Sequence, residues 1–348
     1  MSPKIILVTG VSRFLGGHLA SRLAADPDID RVIGVDTEPP PRDLLRRMGR
    51  AEFVRADIRN PLIAKVISGA EVDTVVHASL SPNPIRSGGR VPMMEMNVIG
   101  TMQLLAACQR SGSVRKLVVK STTAVYGASE RDPAMFTEDM TPKSLPSGGY
   151  AKDAVEIEGY VRGFARRRTD VTVTQLRFTN FIGPRMDTVM TRYFSLPVTP
   201  TVLGYDARVQ LLHEEDALAV LQRATVEDLP GVFNVGADGV LLLSQAIRRA
   251  GRVPLPVPGF GVGPVSRLFR GAGLVDFSAE QLRFLNFGRV VDNTRLRTEF
   301  GFTPRWTTVQ AFDDFVGGRG LRPLIDPRHL RAAERGVLSA VHGLARLR

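Results

Sequence analysis

Six short runs of mainly β-branched and aliphatic residues, at 4–10, 31–36, 51–57, 72–78, 115–122 and 171–178, alternate with segments whose apolar residues recur at helical spacing. Near-continuous apolar strands call for a sheet buried on both faces, and a helix between two strands carries the chain back over one face so that they pair in parallel. Segments 14–25, 93–111 and 150–168 have the pattern and length for such crossovers. The alternation therefore predicts an α/β fold built on a doubly wound parallel sheet.

Beyond Phe178 the alternation weakens, and stretches such as 254–259 are rich in Pro and Gly. We expect residues 1–178 to form the first domain and 179–326 a smaller, interleaved substrate region, with the chain rejoining the first domain over about 209–224. A last amphipathic helix is expected over 327–348, with Leu330, Ala333, Val337, Val341 and Leu344 on one side. Its arginines account for much of the formal charge of +11, since residues 319–348 hold seven Arg against Asp326 and Glu334. Docking on the body of the protein or on a second subunit is the expected role of this helix, and contact with an anionic membrane surface is the alternative. The remaining charge is dilute and accompanies no helix-turn-helix, zinc finger or aromatic platform, so no nucleic-acid partner is expected.

Cys108 is the single cysteine, and His18, His77, His213, His329 and His342 are scattered, so neither an internal disulfide nor a metal site is expected. The N-terminus runs directly into the first strand without the pattern of an export signal, and no apolar run approaches the roughly 20 residues needed to cross a bilayer. A cytoplasmic location is expected, with the inner membrane surface as the alternative place for the tail.

The first strand ends in Thr9-Gly10-Val11-Ser12-Arg13-Phe14-Leu15-Gly16-Gly17, immediately before a helix. Gly10 suits the tight turn and Gly16 suits close packing of helix on strand. The helix N-terminus then faces a pyrophosphate. Asp36 ends the second strand, 20 residues beyond Gly16, where a carboxylate accepts hydrogen bonds from both ribose hydroxyls and repels a 2′-phosphate. Arg13 argues the other way, because a guanidinium beside that ribose would neutralise the phosphate. NAD is expected, with NADP the weaker alternative.

These features, together with the blocks that follow, resemble the extended short-chain dehydrogenases/reductases, the NAD-dependent epimerases and dehydratases of nucleotide sugars. The resemblance covers residues 4–316 and implies a Rossmann domain, bound NAD and usually a homodimer. It departs at Arg13, where the family has the middle glycine of Thr-Gly-x-x-Gly-x-x-Gly. It assigns cofactor contacts to Gly10, Arg13, Phe14, Leu15 and Gly16, to Asp36, to the pair Asp57-Ile58 and to His77-Ala78 beneath the cofactor. Asn97 opens a further matching block, Asn97-Val98-Ile99-Gly100-Thr101.

The family's catalytic pair is Tyr-x-x-x-Lys. Pairing Lys152 and Glu156 with its Lys-x-x-x-Glu places Gly148 where the tyrosine belongs. Lys152 then holds the nicotinamide ribose without its phenol, and Thr122 binds the reacting sugar oxygen. Tyr150 is a candidate replacement, but residues two apart on a helix face nearly opposite ways, so it serves only if it precedes the first turn. Lys120 shares the face of Thr122 on its strand and is a second candidate base. Lysine is rare, six against 40 Arg, which favours a retained role for Lys152.

On the substrate side, Asn180 lies in Leu176-Arg177-Phe178-Thr179-Asn180-Phe181-Ile182-Gly183-Pro184-Arg185, a block implied to contact a diphosphate. Arg208, with His213 and Asp216, matches a stretch whose Arg grips it. The family's late Arg-Pro-Gly-Asp motif is missing, and Arg289 is its candidate substitute. The implied activity is an epimerase or dehydratase reaction on a UDP-hexose-like nucleotide sugar, with an altered catalytic site. The alternatives are a non-catalytic NAD- or nucleotide-sugar-binding protein and a dehydrogenase for a lipid-like substrate, to which the apolar run 254–274 lends support.

Overall fold

A computed structural model of the chain describes residues 4–81, 88–142, 146, 148–258 and 279–323. The expected strands appear as β1 (Ile5–Thr9), β2 (Arg31–Asp36), β3 (Glu52–Arg55), β4 (Thr74–His77), β5 (Lys116–Thr122) and β6 (Thr172–Phe178), each ending at or within the predicted bounds. All lie in one parallel sheet, in the order β3-β2-β1-β4-β5-β6. Ile6, Leu7 and Val8 are wholly buried, as strands covered on both faces must be.

The crossovers are α1 (Phe14–Ala24), α2 (Arg42–Arg47) and α3 (Ile63–Gly69), followed by α4 (Arg90–Met94), which runs through a π-helical turn at Glu95–Ile99 into α5 (Gly100–Arg110), and by α6 (Gly149–Arg167). Strand order reverses between β1 and β4, which opens a crevice at the carboxyl ends of the strands, the usual ligand position in this architecture. Register brings Thr9 beside His77, and Thr122 beside Phe178, at that edge.

Past β6 the chain builds small sheets. β7 (Asn180–Ile182) pairs with β10 (Leu211–His213), β8 (Val198–Val202) with β13 (Val253–Val257), and β9 (Arg208–Val209) with both β12 (Leu241–Leu242) and β14 (Gly288–Arg289). They share an apolar core around Phe194, Leu211, Leu243 and Phe312. The return to the large sheet is made by a helix at Glu214–Val226, whose Leu218 and Leu221 join the α1 side of the main core, and by a seventh strand, β11 (Gly231–Val235), alongside β6. That strand falls after the expected 209–224, and residues 208–209 belong instead to a small sheet. The tail helix at 327–348 and residues 259–274 of the apolar run lie outside the described residues. No helix among the described residues is long and apolar enough to cross a membrane.

Candidate active site

The turn after β1 is possible only with glycine at two points. Gly10 has φ +77°, and a Cβ there would lie 2.7 Å from Ser79 Cα. A Cβ on Gly16 would sit 2.4 Å from the Gly10 carbonyl oxygen, so α1 approaches the turn closer than any side chain allows. The result is a cradle of the shape a dinucleotide pyrophosphate fits, with the N-terminus of α1 facing it. Asp36 stands beside it, its Oδ2 accepting from the Ser12 amide at 3.0 Å and its Oδ1 from the Thr37 amide at 2.8 Å. That places an acceptor-only carboxylate at the end of β2, suited to ribose hydroxyls.

Other predicted cofactor residues divide between the cradle and its supports. Phe14 lies under the Arg185 guanidinium, 5.3 Å from its ring centre, whereas Leu15 packs into the main core. Arg13 does not stand beside the ribose end as expected; its Nη1 donates to Ser81 Oγ at 3.0 Å, beyond β4. The argument for NADP from Arg13 therefore loses its geometry. Asp57 is engaged by Arg59, Oδ2 to Nη2 2.6 Å, and that guanidinium holds its carboxyl below the usual range. Ile58 is buried against Gly100.

His77 is a support. It bridges Thr9 at 2.9 Å and Thr101 at 2.8 Å, and burial pushes its imidazole down to about 3, so it is neutral. The neighbouring Ala78 amide donates to Thr9 Oγ1. Asn97 is also a support, for its amide group clasps both backbone groups of Ser81 and reaches the buried Asp153.

A cavity of about 190 Å³ opens at the carboxyl ends of β5 and β6. Thr122, Tyr150 and Lys120 line it together, with Arg90, Asn180 and Arg289. Tyr150, partly buried in the first turn of α6, lines it with Thr122, and burial raises its phenol well above the ordinary value.

Lys152 is not in this cavity. It is exposed, as is Glu156, which accepts a hydrogen bond from Tyr160. Gly148 stands just before the helix in extended backbone, with open space where a side chain would begin. Successive helical residues turn by about 100°, so Tyr150 and Lys152 point to opposite sides. Tyr150 thus lies within the first turn rather than ahead of it and still reaches the cavity, whereas Lys152 does not: the inward face belongs to Tyr150, Ala154 and Glu158. Ala154 is only 1% exposed. The sequence held the signal, because Ala154, Ile157, Val161 and Phe164 mark the apolar stripe of α6, and Lys152 lies off it.

Glu158, which no sequence motif singles out, anchors that face. Its carboxylate takes Arg177 Nη2 at 2.7 Å and Ser121 Oγ at 2.6 Å, and Arg177 continues to the Tyr126 hydroxyl at 2.7 Å. This buried network joins α6 to β5 and β6 and so fixes the height of Tyr150 over Thr122. Arg90 and Asp153 make a second clamp, with Nη2 to Oδ1 2.6 Å.

Lys120 is 7% exposed and donates to the Leu80 carbonyl at 2.7 Å. Burial, aided by the nearby charge of Arg13, pushes its ammonium down to about 7. Asn180 and Arg289 reach the cavity as expected; Arg289 donates to the Gly127 carbonyl and lies 5.5 Å over the Phe284 ring. Arg208 does not, being exposed on β9 and absent from the lining. His213 and Asp216 instead build a helix end: His213 stacks on Trp306, and Asp216 accepts from the Arg305 and Trp306 amides. Thr179 adds a buried hydroxyl that has no partner among the described residues and lines the cavity, an acceptor and donor for a bound hydroxyl.

Comparison with known proteins adds context. The model of the NAD dependent epimerase/dehydratase family matches residues 6–236. An uncharacterized protein of Mycobacterium tuberculosis is 58% identical over 332 residues, covering 95% of this chain and 88% of that one. The structure of dTDP-glucose 4,6-dehydratase from Bacillus anthracis in complex with NAD is similar with a TM-score of 0.70 at 18% identity, covering 91% of this chain and 96% of that one. UDP-glucose 4-epimerase from Thermotoga maritima, with UDP-glucose, gives a TM-score of 0.69 at 21% identity over 90% of this chain and 98% of that one.

Proposed function

The chain belongs to the NAD dependent epimerase/dehydratase family, and from that premise we propose that it catalyses an NAD-dependent epimerase or dehydratase reaction on a UDP-hexose-like nucleotide sugar, with Tyr150 as its acid–base group. The observation that carries this reading is that Tyr150 and Thr122 line one cavity at the carboxyl ends of β5 and β6. It favours catalysis over a role in binding alone, because a phenol is brought onto the hydroxyl expected to hold a reacting oxygen.

In this reading the cradle and Asp36 hold the dinucleotide, whose chemistry is reversible hydride acceptance. Thr122 orients the reacting sugar hydroxyl by a hydrogen bond. Tyr150 takes the proton from that oxygen as the carbon beside it loses hydride, and returns it in the reverse step. Thr179 and Asn180 offer polar contacts to the sugar portion, and Arg289 offers a fork of donors to a diphosphate. Homodimer formation and docking of the basic tail on the body of the protein or on the second subunit belong to the same proposal, with contact of the tail with an anionic membrane surface as the alternative.

The apolar wall formed by Met93, Phe178, Phe181, Met190, Phe284 and Leu285 favours a second reading, a hydroxylated substrate with a large apolar portion. One experiment separates the readings. Protein freed of tag and buffer components is assayed for co-bound NAD and incubated with UDP-glucose or UDP-galactose, with products followed by NMR. Interconversion or dehydration, lost on the order of 10²–10⁴-fold in Tyr150→Phe, is expected. Absence of bound dinucleotide, or a Tyr150→Phe variant as active as the parent, refutes it. Turnover of hydroxylated lipids alone selects the second reading.

A further inference from the structure

The inward face of α6 carries a phenol but no cation to activate it. Four residues beyond Tyr150, one turn along the same face, stands Ala154, and the only lysine of the helix, Lys152, is exposed on the other side. The nearest α6 charge, the carboxylate of Asp153, raises the phenol further. Burial without a compensating cation leaves a tyrosine protonated far above neutral pH, where it is a poor base. Of the three cations that line the cavity among the described residues, Arg90 is committed to Asp153, and Arg289 lies on β14, held at the Gly127 carbonyl. The third is Lys120.

We propose that Lys120, on β5 rather than on α6, is the positioning residue whose ammonium sets the ionisation of Tyr150. The inference rests on the reading of Tyr150 as the acid–base group. Lys120 lies two residues before Thr122, whose side chain lines the cavity with Tyr150, and alternation in a strand puts Lys120 and Thr122 on one face. It is buried and lines the same cavity. Its hydrogen-bond partner among the described residues is a neutral carbonyl, that of Leu80, and no carboxylate there lies within ion-pair distance. An ammonium has three donors, and its full charge remains available to a nearby phenolate. A buried lysine without a carboxylate is costly to keep, which is the mark of a group retained for its charge.

The groups facing this charge are few. His77 on β4 is neutral, Arg13 reaches over from the glycine turn as a second cation, and α6 contributes Tyr150 and Asp153, the latter neutralised by Arg90 of α4. Of the two cations, Lys120 is the one that lines the cavity with Tyr150. A positive charge on Lys120 favours the phenolate form of Tyr150, and a phenolate in turn favours the ammonium, so a change at one group should shift the titration of the other.

The test is an ultraviolet absorbance titration of the Tyr150 phenol in the full-length protein without added substrate, each spectrum referenced to the same protein carrying Tyr150→Phe. Lys120→Met is expected to raise the Tyr150 midpoint by about 1–3 pH units, and Lys120→Arg, charged at every pH, to restore it. The pH profile of kcat moves in parallel, with activity at neutral pH falling about tenfold for every pH unit by which the midpoint rises. A folded Lys120→Met protein with an unmoved Tyr150 midpoint overturns the proposal. Should that variant fail to fold, lysine-selective 15N NMR of the parent protein, which has six lysines, gives the answer: the Lys120 Nζ titration must move in Tyr150→Phe, and an unchanged curve overturns it. Neither readout needs substrate or turnover, so a wrong substrate assignment leaves both intact.

Discussion

Replacing Lys120 by Met should stabilise the folded protein below neutral pH and lose that advantage as the pH rises. Burial lowers this lysine from the ordinary value of 10.5 to about 7. Below the lower value the ammonium is charged in both states, and the folded state carries the full cost of burying it. Between the two values the unfolded chain still binds a proton that the folded protein has released, so folding stability rises with pH by about 1.4 kcal/mol per pH unit. The interval from 10.5 to about 7 sets the penalty on the order of 5 kcal/mol, and relaxation around the site reduces it to roughly 2–4 kcal/mol.

Met matches the aliphatic stem and leaves only the Leu80 carbonyl without its donor, which returns about 1 kcal/mol of the gain. Urea unfolding followed by circular dichroism at about pH 6 and about pH 9 measures the difference. The variant should exceed the parent by about 1–3 kcal/mol at the lower pH and fall to parity or below at the higher. A variant less stable than the parent at about pH 6, or a difference independent of pH, would refute the argument that an uncompensated charge is buried here. A gain in stability joined to a loss of activity is what a residue kept for function predicts.

Three further outcomes follow from the geometry. Glu158→Gln strands the buried Arg177 guanidinium and should cost about 3–5 kcal/mol in the same unfolding assay, against less than about 1 kcal/mol for a solvent-exposed pair such as Arg31–Glu52. Gly16→Ala places a methyl group 2.4 Å from the Gly10 oxygen, forcing the turn apart, and isothermal titration should show NAD affinity weakened by at least about tenfold. Lys152→Ala, at an exposed position, should change stability by less than about 0.5 kcal/mol and kcat by less than about twofold; a loss of activity with intact folding would return Lys152 to the site.

The parallel sheet was legible because its strands are nearly continuous apolar runs, and local pattern suffices where both faces are buried. β11 escaped notice because Gly231-Val232-Phe233-Asn234-Val235 is short and follows the irregular region. It becomes a strand by pairing with β6, a partner more than 50 residues earlier. The glycine turn and Asp36 were legible for a similar reason, since the turn admits only small residues and the carboxylate ends a strand whose bounds the pattern marks. The role of Arg13 was not, because a long flexible side chain is placed by what it meets, here Ser81.

The active-site helix separates the two kinds of information most clearly. Sequence alone determined that Thr122 ends a central strand and that a Tyr and a Lys lie close together at the start of a long helix. Only the tertiary structure decided which of them faces the cavity, because the rotation of α6 is set by its apolar stripe and by the Glu158–Arg177 network, contacts distributed over β5 and β6. That rotation turns Tyr150 inward and Lys152 out. Burial of Lys120 likewise belongs to the assembled fold, since an ammonium on a strand becomes a desolvated charge only when the neighbouring strands and α6 close over it.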